Sequence, residues 1–197
     1  MTTDTVARPE TESPAPPPEK RLWTYQEMVE KLPESNQPTE LWNGELVVSP
    51  APSTNHQKVV GKLFRRMSDF VETHELGVVL VSPTDVVLSS HRTVQPDLLF
   101  VAKKNTAIVQ AQVCGAPDLT VEVTSESSWR RDRIDKKELY AQFGVKEYWI
   151  VDPETRMVEI FVLTDGAYKL HSGGGDDKEV NSLLLQGLKL AFRDIEL

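Results

Sequence analysis

Apolar and polar positions alternate along this chain in short runs set around two longer amphipathic segments. Tyr25, Met28, Val29 and Leu32 fall at helical spacing, and Thr24 followed by Glu27 has the spacing of a capping box, which predicts a helix ended by Pro33. Residues 39–48 read as two alternating segments around Asn43-Gly44, a dipeptide that favours the type I′ turn of a tight hairpin. From about His56 to Val71, the residues Val59, Val60, Leu63, Phe64, Met67 and Phe70 form the apolar side of a helix capped by Ser53, Thr54 or Asn55. Strand-like runs follow at 77–81, 85–88, 94–101 and 119–124. A second amphipathic helix is predicted from about Ser128 to Phe143, with Ile134, Leu139, Tyr140 and Phe143 as its apolar contacts and Gly144 as its cap. Residues 147–151 and 158–163 then form a hairpin around Asp152-Pro153-Glu154-Thr155, and Gly173-Gly174-Gly175-Asp176-Asp177 reads as an exposed loop. Strands gathered around two helices, without regular β-α alternation, predict an α/β or α+β fold with a mixed sheet.

Composition adds limits. The 197 residues suit one domain, predicted over 21–197, preceded by a disordered tail at 1–20 that holds Pro9, Pro14, Pro16, Pro17 and Pro18 and almost nothing apolar. Twenty-two basic and 30 acidic residues leave a net charge of −8, which excludes tight, indiscriminate binding to nucleic acid. That charge is unevenly spread: residues 1–20 carry −2, 152–197 carry −4, and the longer middle stretch, 21–151, only −2. A nucleic-acid role must therefore be local. Within the middle stretch basic residues gather on the two helices, as Lys58, Lys62, Arg65 and Arg66 on the first and Arg130 and Arg131 at the start of the second. Such a series can follow a phosphate backbone, although most charge runs are solvated faces. A single cysteine, Cys114, excludes an intrachain disulfide and a Cys-rich zinc site. Apolar runs such as 78–81 are too short to span a bilayer, so a cytoplasmic protein without membrane association is expected.

Two carboxylates stand where carboxylates are expensive. Asp97 opens an otherwise apolar strand, and Glu122 lies mid-strand, with Leu119, Val121 and Val123 on one face and Thr120, Glu122 and Thr124 on the other. A carboxylate so placed must be paired, hydrogen-bonded, protonated or bound to metal. Two of them on adjacent strands can supply oxygen ligands to Mg²⁺. Phosphodiester hydrolysis also needs a cation near the phosphorus, and Lys136, four residues before Tyr140, shares its helical face and points to the sheet. His56 invites a general-base reading, but a histidine in the first turn of a helix is more often a surface or capping residue. Asp85 and Asp132 are candidates for supporting groups, and Asp132 also suits a first helical turn.

Several segments together carry a family resemblance. They are Glu40-Leu41-Trp42-Asn43-Gly44-Glu45-Leu46, Ser49-Pro50-Ala51-Pro52-Ser53 to His56, Gln95-Pro96-Asp97, Val121-Glu122-Val123-Thr124-Ser125, Asp132 to Lys136 to Tyr140, and Gly144 to Pro153. In this order, across about Tyr25 to Leu163, they resemble the Uma-type restriction endonucleases, which are similar in fold to the PD-(D/E)xK nucleases. The resemblance implies a restriction-endonuclease-like core, a central mixed sheet flanked by helices with an N-terminal hairpin, and Mg²⁺ or Mn²⁺ held by strand carboxylates. It makes Asp97 and Glu122 the acidic pair and Glu40 an additional acid from the N-terminal part. The chain departs from the superfamily pattern at Thr124, where a lysine is usual; the resemblance moves that lysine to the helix, onto Lys136, with Lys137 as the neighbouring alternative. The implied activity is metal-dependent hydrolysis of DNA by an endonuclease. The alternatives are an inert binding or regulatory module of the same fold, and hydrolysis of RNA or another phosphodiester. A homodimer is compatible with the resemblance, since two sites could then address two strands.

Overall fold

Asn43 and Gly44 both take positive φ, 50° and 82°, and close the hairpin as a type I′ turn requires. The computed structural model describes residues 21–33 and 37–196; the tail expected to be disordered, 1–20, lies outside them. Helix α1 (Tyr25–Lys31) has its capping box, with the Thr24 hydroxyl accepting from the Glu27 N–H and the Glu27 carboxylate accepting from the Thr24 N–H, each at 3.2 Å. Strands β1 (Thr39–Trp42) and β2 (Glu45–Val48) make the hairpin, and α2 (Thr54–Thr73) follows with Ser53 as its N-cap. Then come β3 (Gly77–Val81), β4 (Val86–Ser89), β5 (Arg92–Val94), β6 (Leu98–Ala102), β7 (Val113–Cys114) and β8 (Leu119–Val123). After a helical segment containing α3 (Lys137–Gln142) the chain continues as β9 (Glu147–Asp152), β10 (Met157–Thr164), β11 (Ala167–Gly174), β12 (Val180–Asn181) and β13 (Lys189–Leu190).

The strands form a five-stranded sheet, β2-β1-β5-β4-β7, a six-stranded sheet, β11-β10-β9-β8-β6-β3, and the short pair β12-β13. The larger sheet is mixed, because β8 and β9 run parallel while its other neighbours are antiparallel. Both of its faces are buried. Val59, Leu63 and Met67 of α2 pack on Leu98, Phe100, Val121 and Trp149, whereas Leu99, Val101, Tyr148 and Ile150 meet Tyr140 of α3 and Val86, Val94 and Val113 of the smaller sheet. Each fully buried side chain of this size contributes about 1.5–3 kcal/mol.

The sequence predicts one strand over 94–101, and the structure contains two, in different sheets. Pro96 lacks an N–H for a ladder and pushes Gln95 away from helical geometry, so Gln95-Pro96-Asp97 becomes the crossover between the sheets. The expected glycine loop also begins later, since Gly173 and Gly174 end β11. A Cβ on Gly174 would lie 2.2 Å from the Lys178 carbonyl oxygen, so glycine permits a close backbone approach there. In the second helix Ile134 is 44% exposed, not a core contact, because residues Arg131–Lys136 form a π-helical turn that changes which side chains face the sheet.

Asp118 ties β6, β8 and the approach to β9 together. Its carboxylate accepts from the Ala102 N–H at 2.8 Å, from Asn105 Nδ2 at 2.8 and 2.9 Å, and from Lys146. Burial pushes its carboxyl up, but the bonds from Lys146, Asn105 and Ala102 prevail and hold it below the usual aspartate value. A depressed folded-state pKa means stability that is present above the unfolded value of about 3.9 and lost as pH falls through the lower folded value. Asp118→Asn is expected to cost about 1–3 kcal/mol at neutral pH and to flatten the acid limb of a stability-against-pH profile from urea unfolding. An unchanged acid limb would contradict this role.

Candidate active site

The alternation of β8 sends Leu119, Val121 and Val123 toward α2 and leaves Glu122 on the other face, only 3% exposed. Burial on that scale demands partners. Lys136 Nζ lies 2.8 Å from Glu122 Oε2, and the Tyr140 hydroxyl donates to Glu122 Oε1 at 2.7 Å. The same ammonium is 3.4 Å from Glu40 Oε1 of β1 and 3.7 Å from Asp132 Oδ1. Glu40 is fixed by Trp42 Nε1 at 2.9 Å and by the Gln95 N–H at 3.0 Å. One lysine therefore faces three buried carboxylates from two strands and its own helix.

The π-helical turn accounts for this alignment. Three residues spaced by four drift steadily around an α-helix, because four residues exceed one turn of 3.6. The wider turn over Arg131–Lys136 drifts the other way, and the α-helical turn after it cancels the difference. Asp132, Lys136 and Tyr140 thus share the face that meets Glu122. Lys137 turns away, with its ammonium 3.5 Å from the Phe161 ring centroid, so the geometry separates the two lysines that spacing leaves equivalent.

Asp97 sits on the crossover, just before β6. Leu98 pairs with Val121, which puts Val123 beyond the end of that ladder, and the Val123 N–H donates to Asp97 Oδ2 at 2.7 Å instead. His56, in the first turn of α2, places Nε2 3.2 Å from the same oxygen. Glu40, His56, Gln95, Asp97, Glu122, Asp132 and Lys136 all line one cleft of about 340 Å³. The cleft is also lined by Ser49, Ser53, Ser125, Ser127 and Ser128 and by Arg131, whose guanidinium donates to Ser49 Oγ at 3.1 Å.

Electrostatics follow from burial and charge number. Burial drives the Glu122 carboxyl well above the usual range, and Asp132 and Asp97 add to it against the opposing Lys136. Burial likewise raises Asp132. For Lys136 burial favours the neutral amine, but Glu122, Glu40 and Asp132 outweigh it and hold its pKa well above the ordinary lysine value. His56 repeats the pattern, with Asp97 overcoming burial to raise it. The cluster holds more acids than bases, and that surplus attracts a proton or a cation.

Hard oxygen donors, surplus negative charge and room for water fit a Mg²⁺-type ion, which takes few carboxylates and keeps several waters. Among the described residues no three His, Cys, Asp or Glu side chains converge as a preformed metal cage. The Lys136 ammonium takes that central place among the carboxylates.

The basic residues of α2 are disposed differently from the acids. Lys62 donates to the Glu196 carbonyl, Arg66 reaches Asp194 at 3.1 Å, Arg65 faces Asp69 at 3.8 Å, and Lys58 is exposed; none of the four lines the cleft. Of the other pair, Arg131 lines it and the exposed Arg130 does not. The His56–Asp97 contact and the Trp42 and Gln95 bonds to Glu40 escape sequence reasoning, because each joins residues from different elements or depends on a side-chain rotamer.

A mixed sheet with acidic side chains at its crossover and on a central strand, backed by a lysine-bearing helix, is the restriction-endonuclease-like fold. Residues 25–193 match the Uma2 family, described as "Putative restriction endonuclease", and the chain belongs to that family. A crystal structure of a putative nuclease of the DUF820 group from Anabaena variabilis superposes with a TM-score of 0.73 at 17% identity, covering 87% of this chain and 96% of that one. A search of curated proteins returns no match.

The two lysines make a direct contrast. Lys136→Met strands three buried carboxylates and is expected to cost about 3–5 kcal/mol in denaturant unfolding. Lys137→Met, which removes a partly exposed contact, should cost less than about 1 kcal/mol. Equal losses would contradict the geometry described.

Proposed function

We propose that this protein is a divalent-metal-dependent endonuclease that hydrolyses phosphodiester bonds, in DNA in the first instance. The observation that carries the reading is the Lys136 ammonium set 2.8 Å from Glu122 and 3.4 Å from Glu40 in a cleft shared with Asp97. Membership of the Uma2 family supports the same reading.

Asp97, Glu122 and Glu40 are the residues that would hold Mg²⁺ or Mn²⁺. When bound, such an ion supplies Lewis-acid polarisation of a phosphoryl oxygen and a water of lowered pKa. The chain's own groups do the rest. Lys136 orients the attacking water and stabilises negative charge developing on the phosphoryl oxygens. Tyr140, donating to Glu122 at 2.7 Å, fixes the carboxylate's orientation. Val123 N–H and His56 fix Asp97 in the same way. Arg131 and the serine hydroxyls that line the cleft offer donors to the phosphate beside the carboxylates that would hold the ion.

The net charge of −8 fits local rather than extended contact with the backbone. The inert-module alternative draws on Thr124 in the usual lysine position, and the approach of Lys136 to Glu122 supports catalysis instead by bringing an ammonium to that carboxylate. We place the enzyme in the cytoplasm, with its DNA substrate, where the free Cys114 stays reduced.

The test is cleavage of plasmid and linear DNA with Mg²⁺ or Mn²⁺ by the wild type and by Asp97→Ala, Glu122→Ala and Lys136→Ala. Each variant is expected to lose at least about a hundredfold in rate. Wild-type cleavage that all three variants retain, or its complete absence beside retained DNA binding, would sink the assignment.

A further inference from the structure

Five buried side-chain polar atoms among the described residues have no hydrogen-bond partner, and two of them, His56 Nδ1 and Gln95 Oε1, belong to residues that line the cleft. An unmade bond of this kind costs about 1–3 kcal/mol, so an orphan beside a candidate site calls for a use. Gln95 is the better defined of the two, because its surroundings fix which way its amide points.

Gln95 Nε2 donates to Asp85 Oδ1 at 2.7 Å, and the Tyr25 hydroxyl donates to Asp85 Oδ2 at 2.9 Å. A carboxylate accepts and never donates, so Asp85 can face only the NH₂ end of the Gln95 amide. Burial, with Asp85 adding to it, holds the Tyr25 phenol far above its ordinary value, so the hydroxyl keeps the proton it donates. The carbonyl end of Gln95 is thereby left to face away from Asp85, shielded from solvent and without a partner. Gln95 itself lines the cleft, its N–H holds Glu40 Oε1 at 3.0 Å, and Asp97 lies two residues on.

We propose that Gln95 Oε1 is a further oxygen donor to the divalent cation, acting beside Glu40, Asp97 and Glu122, and that Asp85 and Tyr25 are positioning residues that keep this carbonyl turned toward the ion. A neutral amide oxygen is a normal ligand for a hard cation, and it adds a donor without enlarging the surplus of negative charge. The inference rests on the metal-dependent reading of the cleft.

Mn²⁺ binding to the full-length protein, measured by calorimetry and by electron paramagnetic resonance without any substrate, tests it. Gln95→Met keeps the side chain's length and removes the acceptor. Asp85→Asn keeps the shape, and with its carbonyl accepting from the Tyr25 hydroxyl it offers its NH₂ to Gln95, which then turns its own carbonyl to Asn and its NH₂ away from it. Each variant is expected to weaken Mn²⁺ binding about tenfold, and the double variant no more than Gln95→Met alone. Asp97→Ala and Glu122→Ala serve as references for loss of the site. Unchanged Mn²⁺ affinity in Gln95→Met and Asp85→Asn, with affinity lost in both references, overturns this inference and leaves the proposed metal site standing. Additive losses in the double variant overturn the amide-flip account. A wild type that binds no Mn²⁺ overturns the metal reading, and the Gln95 assignment falls with it. Should Gln95→Met fail to fold by circular dichroism, Asp85→Asn carries the test, with weakened Mn²⁺ binding for the proposal and unchanged binding against it.

Discussion

Glu40, Glu122 and Asp132 are buried to 3–4% exposure around the Lys136 ammonium, which lies within 4 Å of all three and offsets much of the cost. An isolated carboxylate in that environment would cost many kcal/mol and would take up a proton instead. This single cation orders much of the surrounding structure. It requires a helix that presents residues 132, 136 and 140 on one face, and so a π-helical turn followed by an α-helical one. It also joins the two sheets, since the same ammonium reaches Glu40 of β1 and Glu122 of β8.

The crossover at Gln95-Pro96-Asp97 is the second constraint. Pro96 ends one ladder and starts another, and each neighbour uses the broken geometry. Gln95 gives its N–H to Glu40, and Asp97 takes the N–H of Val123. A segment that cannot continue a sheet thus delivers two polar residues to the cleft from the backbone outward. Serines and Arg131 line the same cleft of about 340 Å³, so it holds hydrogen-bond donors as well as acids.

Much of this was legible in residue pattern. Asn43-Gly44 specifies its hairpin locally, and the Thr24–Glu27 spacing specifies its cap, because the interactions involved span no more than a few residues. Glu122 stood out because a charge inside an alternating apolar strand has few ways to be accommodated. Lys136 stood out through its spacing from Tyr140, although spacing alone leaves it equivalent to Lys137. The division of 94–101 between two sheets was not legible, since apolar runs on both sides of Pro96 look the same whichever sheet they join. Exposed Ile134 was missed for a related reason: α-helical periodicity carries no sign of a π-helical turn. The glycines at 173–174 read as a loop because a close backbone approach to Lys178 has no local signature.

What remains central is that the carboxylates around Lys136 form a cation site and are not merely an internal ion pair. If so, a divalent ion should stand in for the ammonium once the lysine is gone. The most direct measurement is the melting temperature of Lys136→Met with and without Mn²⁺, beside the wild type and Lys136→Met/Glu122→Ala. The account predicts that Mn²⁺ raises the melting temperature of Lys136→Met by more than that of the wild type, and that removing Glu122 abolishes the excess. A Lys136→Met protein that melts at the same temperature with and without Mn²⁺ would contradict it.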